Sequence, residues 1–295
     1  MPSFTASPGV WNNVNATNFR AWGSYIAAQL LAVGLVKTSD TGQIDWTTVA
    51  APGGVDTYMG YEIWRFADAL QATAPVYIKI EYGSSSVATA PSVRIQFGSG
   101  SNGSGTLTGN LSSQFISAVT SVTANAVVVG SGSTNRFCIA AGFTTAGGYG
   151  MFFGFERSKD ASGNDTAEAV LAVFSNASTA TSTSTRFFPV WSTTLGNLGT
   201  VTQIAAPAIF PPGTTAATGS QVIVCPILHC KGVFMNPGMN FAGYFTENIA
   251  VNGTPSVYVY GASRTYYSLP AASAIASTGW QGPGGGTEAL LIRYE

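Results

Sequence analysis

Charge is scarce in this chain. Only 8% of its 295 residues are Asp, Glu, Lys or Arg, about a third of the roughly 25% usual in soluble domains. The 12 basic and 13 acidic residues almost cancel, and no basic run with interleaved aromatics occurs. The electrostatic footprint of a nucleic-acid binder is therefore missing, and no nucleic-acid partner is expected.

Histidine occurs once, at His229. A multi-histidine zinc site within one chain is excluded, and a Ser-His-Asp triad would have to use His229 itself. Its setting, VIVCPILHCKG, reads as an apolar strand in which Cys225 and Cys230 point to opposite faces. No fourth ligand is indicated, so core packing is expected rather than metal binding. The only other cysteine, Cys138, brings the total to 3, too few for a disulfide framework at this length. All are expected as buried free thiols.

Long apolar runs are also missing. The best, YIAAQLLAVGLV (Tyr25 to Val36), is too short for a bilayer and contains Gln29, so no membrane span is expected. The start, MPSFTASPGVWNN, has no basic region followed by an apolar one, which leaves assembly in the cytoplasm as the expectation.

Small polar residues fill the space that charge leaves. Gly, Ser, Thr, Ala and Asn occupy positions that Lys and Glu take elsewhere, and a surface of that kind is commonly covered by neighbouring subunits. Residues 1–74 read differently from the remainder. With Asn18 as a cap, Phe19, Trp22, Ile26, Leu30 and Val33 recur at helical spacing, and Gly34 supplies a stop. Thr57 to Asp68 stays ambiguous, because Tyr58, Gly60, Glu62 and Trp64 do not alternate cleanly with apolar neighbours. From Pro75 the period becomes two: PVYIKIEYG (75–83) and PSVRIQFG (91–98) read as half-buried strands. Further strands are expected at 126–130, 136–143, 151–157, 168–174, 186–191, 221–230, 256–262 and 289–294. Many short strands with Gly, Pro, Ser and Asn between them predict an all-β fold, an antiparallel β-sandwich or jelly-roll-like domain with one N-terminal α-helix. The expected division is 1–74, a helix and connecting segment serving as an attachment region, and 75–295, the β domain. GSGSNGSGTLTGN (98–110) and SNASTATSTST (175–185) have linker composition but are flanked by strands, which favours long surface loops within one domain.

Candidate chemistry is thin. GSGSNGSG lacks the following Lys-Ser/Thr and the helix that phosphate binding needs. A glycosidase needs only two opposed carboxylates, for which Asp56, Glu62, Asp68, Glu81, Glu156 and Glu168 are candidates that sequence cannot place relative to one another. The charge-rich stretch FERSKDASGNDTAEAVLAVF (155–174) offers Asp160, Asn164, Asp165 and Glu168 without the order of a calcium loop. It fits a hairpin better, apolar on both sides of a turn rich in Asp, Ser, Gly and Asn.

Two blocks carry a resemblance: YEIWRFADALQATAPVYIKIEYGSSSVATAPSVRIQFGSGSNGSGTLTG (61–109) and the later FFGFERSKDASGNDTAEAVLAVF. In that order they resemble a group of tailed-bacteriophage virion proteins, over perhaps a quarter of the chain. The resemblance implies a non-enzymatic structural subunit of the tail or baseplate, localised in the virion, with other virion proteins and copies of itself as partners. It carries over no catalytic, cofactor-binding or metal-binding residue and no cofactor. A capsid decoration or cement protein is the alternative. So is a host-glycan-binding fiber module, using Trp191, Tyr266, Tyr267 or Trp280 as a platform. Tyr and Trp suit interface anchors in a symmetric oligomer. Two further expectations follow. Glu156 and Arg157 form an ion pair buried between subunits. Deleting residues 1–40 abolishes incorporation but leaves a soluble β core.

Overall fold

The structure, a computed structural model, describes residues 3–6, 10–118, 126–143, 151–160, 162, 164–174, 188–194, 196–201, 225–231, 234–246, 256–259, 262–268 and 288–293. Among these the strands are, in chain order, β1 (Ser3–Ala6), β2 (Val36–Lys37), β3 (Tyr58–Arg65), β4 (Tyr77–Gly83), β5 (Ser92–Gly98), β6 (Gly100–Ser101), β7 (Leu107–Thr108), β8 (Phe115–Ala118), β9 (Ala126–Ser133), β10 (Arg136–Phe143), β11 (Met151–Lys159), β12 (Asp165–Phe174), β13 (Phe188–Ser192), β14 (Gly196–Val201), β15 (Cys225–Lys231), β16 (Phe234–Thr246), β17 (Ser256–Val259), β18 (Ala262–Ser268) and β19 (Glu288–Arg293). One α-helix, α1 (Ala16–Ala32), precedes β2.

All strand pairing is antiparallel. The first sheet runs β2-β3-β4-β5-β8, the second β1-β9-β10-β11-β12-β13-β14, and the third β15-β16-β19-β18-β17. The long sequential run of β9 to β14 is a meander, which makes the sandwich, of the two expected forms, the apt description.

Period two explains the main core. On β4 and β5, Ile78 faces Phe97, Ile80 faces Ile95 and Tyr82 faces Val93, all fully buried. The second sheet answers with Phe137 opposite Phe155, Ile139 opposite Phe153 and Ala141 opposite Met151. Phe155 is the meeting point, its ring centroid 5.7 Å from Phe97, 5.8 Å from Phe137 and 5.9 Å from Phe66. Each such ring removes on the order of 150–250 Å² from water, so this cluster contributes substantially to the stacking of the two sheets. At the edge, the Ser117 hydroxyl donates to the Phe152 carbonyl at 3.0 Å and accepts its amide at 3.1 Å, tying β8 to β11.

The other face of the second sheet is also buried. Ser131, Cys138, Ala140, Phe152, Glu156 and Val170 alternate with the core residues and are almost inaccessible. β16 runs near β10 and β11, and β19 near β9 and β10. A third layer therefore lies against a surface that Ser131, Cys138, Ala140 and Gly154 keep flat.

α1 starts one turn earlier than its apolar repeat suggests. Asn15 is the cap, its side-chain oxygen accepting the amide of Asn18 at 2.8 Å, so Asn18 sits inside the first turn. Both are asparagines, and the repeat beginning at Phe19 points to the wrong one. Gly34, at φ +95°, takes the left-handed conformation that ends the helix. Phe19, Trp22, Ile26 and Leu30 join the same core cluster as both sheets. Asn13 fixes the helix entry: its amide donates to the carbonyls of Gly83 and Ala90, and its oxygen accepts from the Trp22 indole at 2.9 Å. The expected boundary at 74/75 runs through the first sheet, because β3 pairs with β4 from Tyr58 to Arg65. A truncation to residue 41 would strip Trp11, Phe19, Trp22, Ile26 and Leu30 from the core. That geometry argues against the soluble β core expected of the 1–40 deletion.

Two loop expectations meet the structure. Residues 98–110 form an ordered surface loop: β6 pairs with β7, and the amides of Ser99 and Asn102 donate to Thr108 and Thr106. Residues 175–185 lie outside the described residues.

Candidate functional site

The ambiguous segment Thr57 to Asp68 is where the chemistry concentrates. Register places Gly60, Glu62 and Trp64 of β3 opposite Tyr82, Ile80 and Ile78, so a carboxylate points into the core. Glu62 is wholly inaccessible. Its Oε1 accepts from Lys37 Nζ at 2.7 Å and Trp46 Nε1 at 3.2 Å. Its Oε2 accepts from Tyr82 OH at 2.8 Å and Trp64 Nε1 at 3.3 Å. An ionised carboxylate has roughly four acceptor sites, and these four donors fill them. Nothing is left to take a substrate proton or a metal, so this residue is a hub joining β2, β3, β4 and the 45–48 turn. Burial, then the Glu62 charge beside it, pushes the Tyr82 hydroxyl well above its ordinary value of 10. The phenol thus remains a donor throughout the physiological range.

A second buried polar group closes one end of the sandwich. Arg157 sits on the core face of β11, at 1% exposure. Its Nε and Nη2 meet the two oxygens of Asp68 at 2.9 and 3.3 Å, Nη1 donates to Ala167 O at 2.9 Å, and Nη2 also to Ala74 O at 2.8 Å. The guanidinium lies 5.1 Å from the Phe66 ring centroid. The expected inter-subunit pair of Glu156 with Arg157 is corrected here. Adjacent strand residues point to opposite faces, and the ion pair of Arg157 is with Asp68 of its own chain. Glu156 is buried on the other face, opposite Arg136.

A third constellation anchors the glycine-rich loop. Asp40 accepts from Thr38 Oγ1 at 2.6 Å, from the Gly105 amide at 3.2 Å, and from Ser101 Oγ. Burial works to raise its carboxyl, but the hydrogen bonds from Ser101, Thr38 and Gly105 outweigh it and hold the group below its usual value. At Gly105 the φ is +90°, and a Cβ would stand 2.2 Å from Tyr61 OH; only glycine fits.

The outer face of the first sheet carries the accessible cluster. Glu81 of β4 faces Arg94 of β5. Lys79 Nζ lies 3.2 Å from Glu81, Arg94 Nη1 3.9 Å from Glu81, and Arg94 Nη2 3.3 Å from Asp56. Lys79 stands 4.7 Å from the Tyr61 ring centroid, and Arg94 stands 3.6 Å from that of Tyr58. Asp56 is held at φ 49°, the one non-glycine residue with positive φ among those described.

The six glycosidase candidates thus divide. Asp56 and Glu81 are brought together, but on Arg94; Glu62 and Asp68 are engaged in the separate core networks above. Glu168 accepts from the Ser192 hydroxyl. The hairpin expectation holds, with β11 and β12 paired and Lys159 opposite Asp165. The calcium-loop residues do not converge: Asp160 Oδ1 accepts the amides of Ser162 and Asn164 at 2.9 and 2.8 Å, while Asp165 binds Lys159 and Asn135. Among the described residues no cluster of three or more His, Cys, Asp or Glu could hold a metal ion, and no helix is long and apolar enough to cross a membrane.

Cys138 is a buried thiol outside any disulfide, 3.6 Å from Ser131 Oγ, and burial pushes it up to about 11. His229, Cys225 and Cys230 lie in β15, with His229 paired to Asn236 and Cys230 to Met235. Tyr266 and Tyr267 are consecutive in β18, Trp191 belongs to β13 of another sheet, and Trp280 is outside the described residues. Sequence reading missed Lys37, Trp46 and Tyr82 as partners of Glu62, and the outer pairing of Glu81 with Arg94. The available signal was a charge at an inward position, Glu62 between Gly60 and Trp64. Comparison with family models, curated proteins and solved structures gave no match.

Proposed function

We propose that this chain is a non-enzymatic structural subunit of a tailed-phage virion, in the tail or baseplate, packed in a symmetric oligomer with copies of itself and other virion proteins. The observation that carries the reading is the state of the buried polar groups. Glu62 has its four acceptor positions filled, and Arg157 uses Nε, Nη1 and Nη2 to join segments of both sheets. Groups arranged in this way rigidify a scaffold, and the Glu62 carboxylate is fully engaged in doing so.

The low charge supports the same reading. With 8% charged residues over 295 positions, the chain has little to keep copies apart by repulsion. The blocks that resemble virion proteins contain Glu62 with its partners Trp64 and Tyr82, the Lys79, Glu81 and Arg94 part of the outer cluster, and the Arg157 hairpin. The test is genetic. A stop codon in the gene should yield defective particles that regain integrity when the protein is supplied in trans; normal particles without it would refute the proposal.

A further inference from the structure

We infer that the outer face of β3, β4 and β5 is a self-association surface, on which a second copy of this chain docks about a two-fold axis running between β4 and β5. The inference rests on the proposed oligomeric role and adds the surface that performs it. Six residues make the patch: Asp56, Tyr58, Tyr61, Lys79, Glu81 and Arg94.

Charge order identifies the occupant. Lys79, Glu81, Arg94 and Asp56 form a connected series of alternating sign, with contacts of 3.2, 3.9 and 3.3 Å and no net charge. A polyanion, an anionic membrane or a cation would meet as much repulsion as attraction there. An isologous contact sets one patch against itself, so each sign must find its opposite within the same patch. Glu81 and Arg94 are direct cross-strand partners. A two-fold axis along the line between their strands places Glu81 of each copy against Arg94 of the other.

Two features adapt the patch to docking rather than to a glycan. The Tyr58 and Tyr61 rings already carry Arg94 and Lys79 at 3.6 and 4.7 Å, so a sugar would have to displace a cation before stacking. The same contacts hold the long side chains flat and ordered, with Lys79, Glu81 and Arg94 only 17, 20 and 24% exposed. Docking then costs little further rotamer freedom. Asp56 completes the series from a turn, at φ 49°.

Size-exclusion chromatography with light scattering on the full chain tests the inference, using Arg94→Glu, Glu81→Lys and their equimolar mixture. Wild type should associate, and more weakly in high salt. Each reversal should weaken association at least about tenfold, because like charges then face one another twice. The mixture should recover it, since the carboxylate introduced at position 94 of one copy meets the ammonium introduced at position 81 of the other. Circular dichroism establishes folding; Arg94→Gln and Glu81→Gln replace any reversal that unfolds and should also weaken association. Variants that associate as wild type does would overturn this surface while leaving the oligomeric reading intact. Reversals that dissociate without recovery on mixing would overturn the two-fold arrangement. A wild type that stays monomeric at every concentration would overturn the oligomeric reading itself.

Discussion

The guanidinium of Arg157 and the carboxylate of Asp68 meet along two edges, at 2.9 and 3.3 Å, across 89 residues of sequence. Asp68 follows the last residues of β3, and Arg157 ends the core face of β11. Their contact joins the two sheets at the point where Phe66 and Phe155 meet. Replacing Asp68 with Ala leaves a buried guanidinium without its counter-charge. The expected loss is about 3–5 kcal/mol of unfolding free energy, measured by urea denaturation, and reversal of Arg157 should impair folding before it affects assembly. A change below about 1 kcal/mol, the level of a surface pair, would show that the clamp is not buried in solution.

The Glu62 hub should show coupling. Tyr82→Phe removes one donor and should cost about 1–2 kcal/mol. Glu62→Leu orphans the indoles of Trp46 and Trp64 and the Lys37 ammonium, and should cost more. In the double variant the effect of Tyr82→Phe should shrink, because its hydroxyl no longer has a carboxylate to bind. Strict additivity in a denaturant-based double-mutant cycle would contradict the hub.

Gly23→Ala sets helix propensity against packing. Alanine is favoured over glycine inside a helix by about 1 kcal/mol. A Cβ at Gly23, however, would stand 2.0 Å from Cη2 of Trp46, whose indole holds Glu62. Overpacking of that kind costs about 1–3 kcal/mol, so the net expectation is a lower melting temperature with altered tryptophan fluorescence. A stabilised variant would show that the ring has room to move.

Alkaline pH should weaken the fold. Burial raises Cys138 to about 11, above the value near 8.5 of an exposed thiol. A group raised in the folded state contributes its full stability below the unfolded value, and loses that contribution as pH rises through the folded one. Between about pH 8.5 and 11 this amounts to about 3 kcal/mol. Tyr82, raised by burial and by Glu62, extends the loss above pH 10. Cys138→Ala should flatten the first part of the decline in denaturation midpoints; an unchanged profile would reject the assignment.

The strands are legible in the sequence where one side of the alternation is apolar, as in Ile78, Ile80 and Tyr82 or Val93, Ile95 and Phe97. β3 is not, because its inward positions are Gly60, Glu62 and Trp64. Gly60 makes room for Ile44, where a Cβ would lie 2.9 Å from the Ile44 Cβ, and Glu62 is neutralised by partners 16 to 25 residues away. Local pattern contains neither fact. The helix cap is misplaced to Asn18 for the opposite reason, two chemically equal residues one turn apart. The burial of Arg157 is legible from its apolar strand, but its partner lies in the connection after β3, 89 residues away, at a separation that no periodicity encodes.

The copy number and radial position of this chain in assembled particles, determined by cryo-electron microscopy, test the central claim most directly. The predicted result is a fixed, symmetric set of copies in the tail or baseplate, with the β3, β4 and β5 face covered by a second copy. Absence of the chain from intact particles would contradict it.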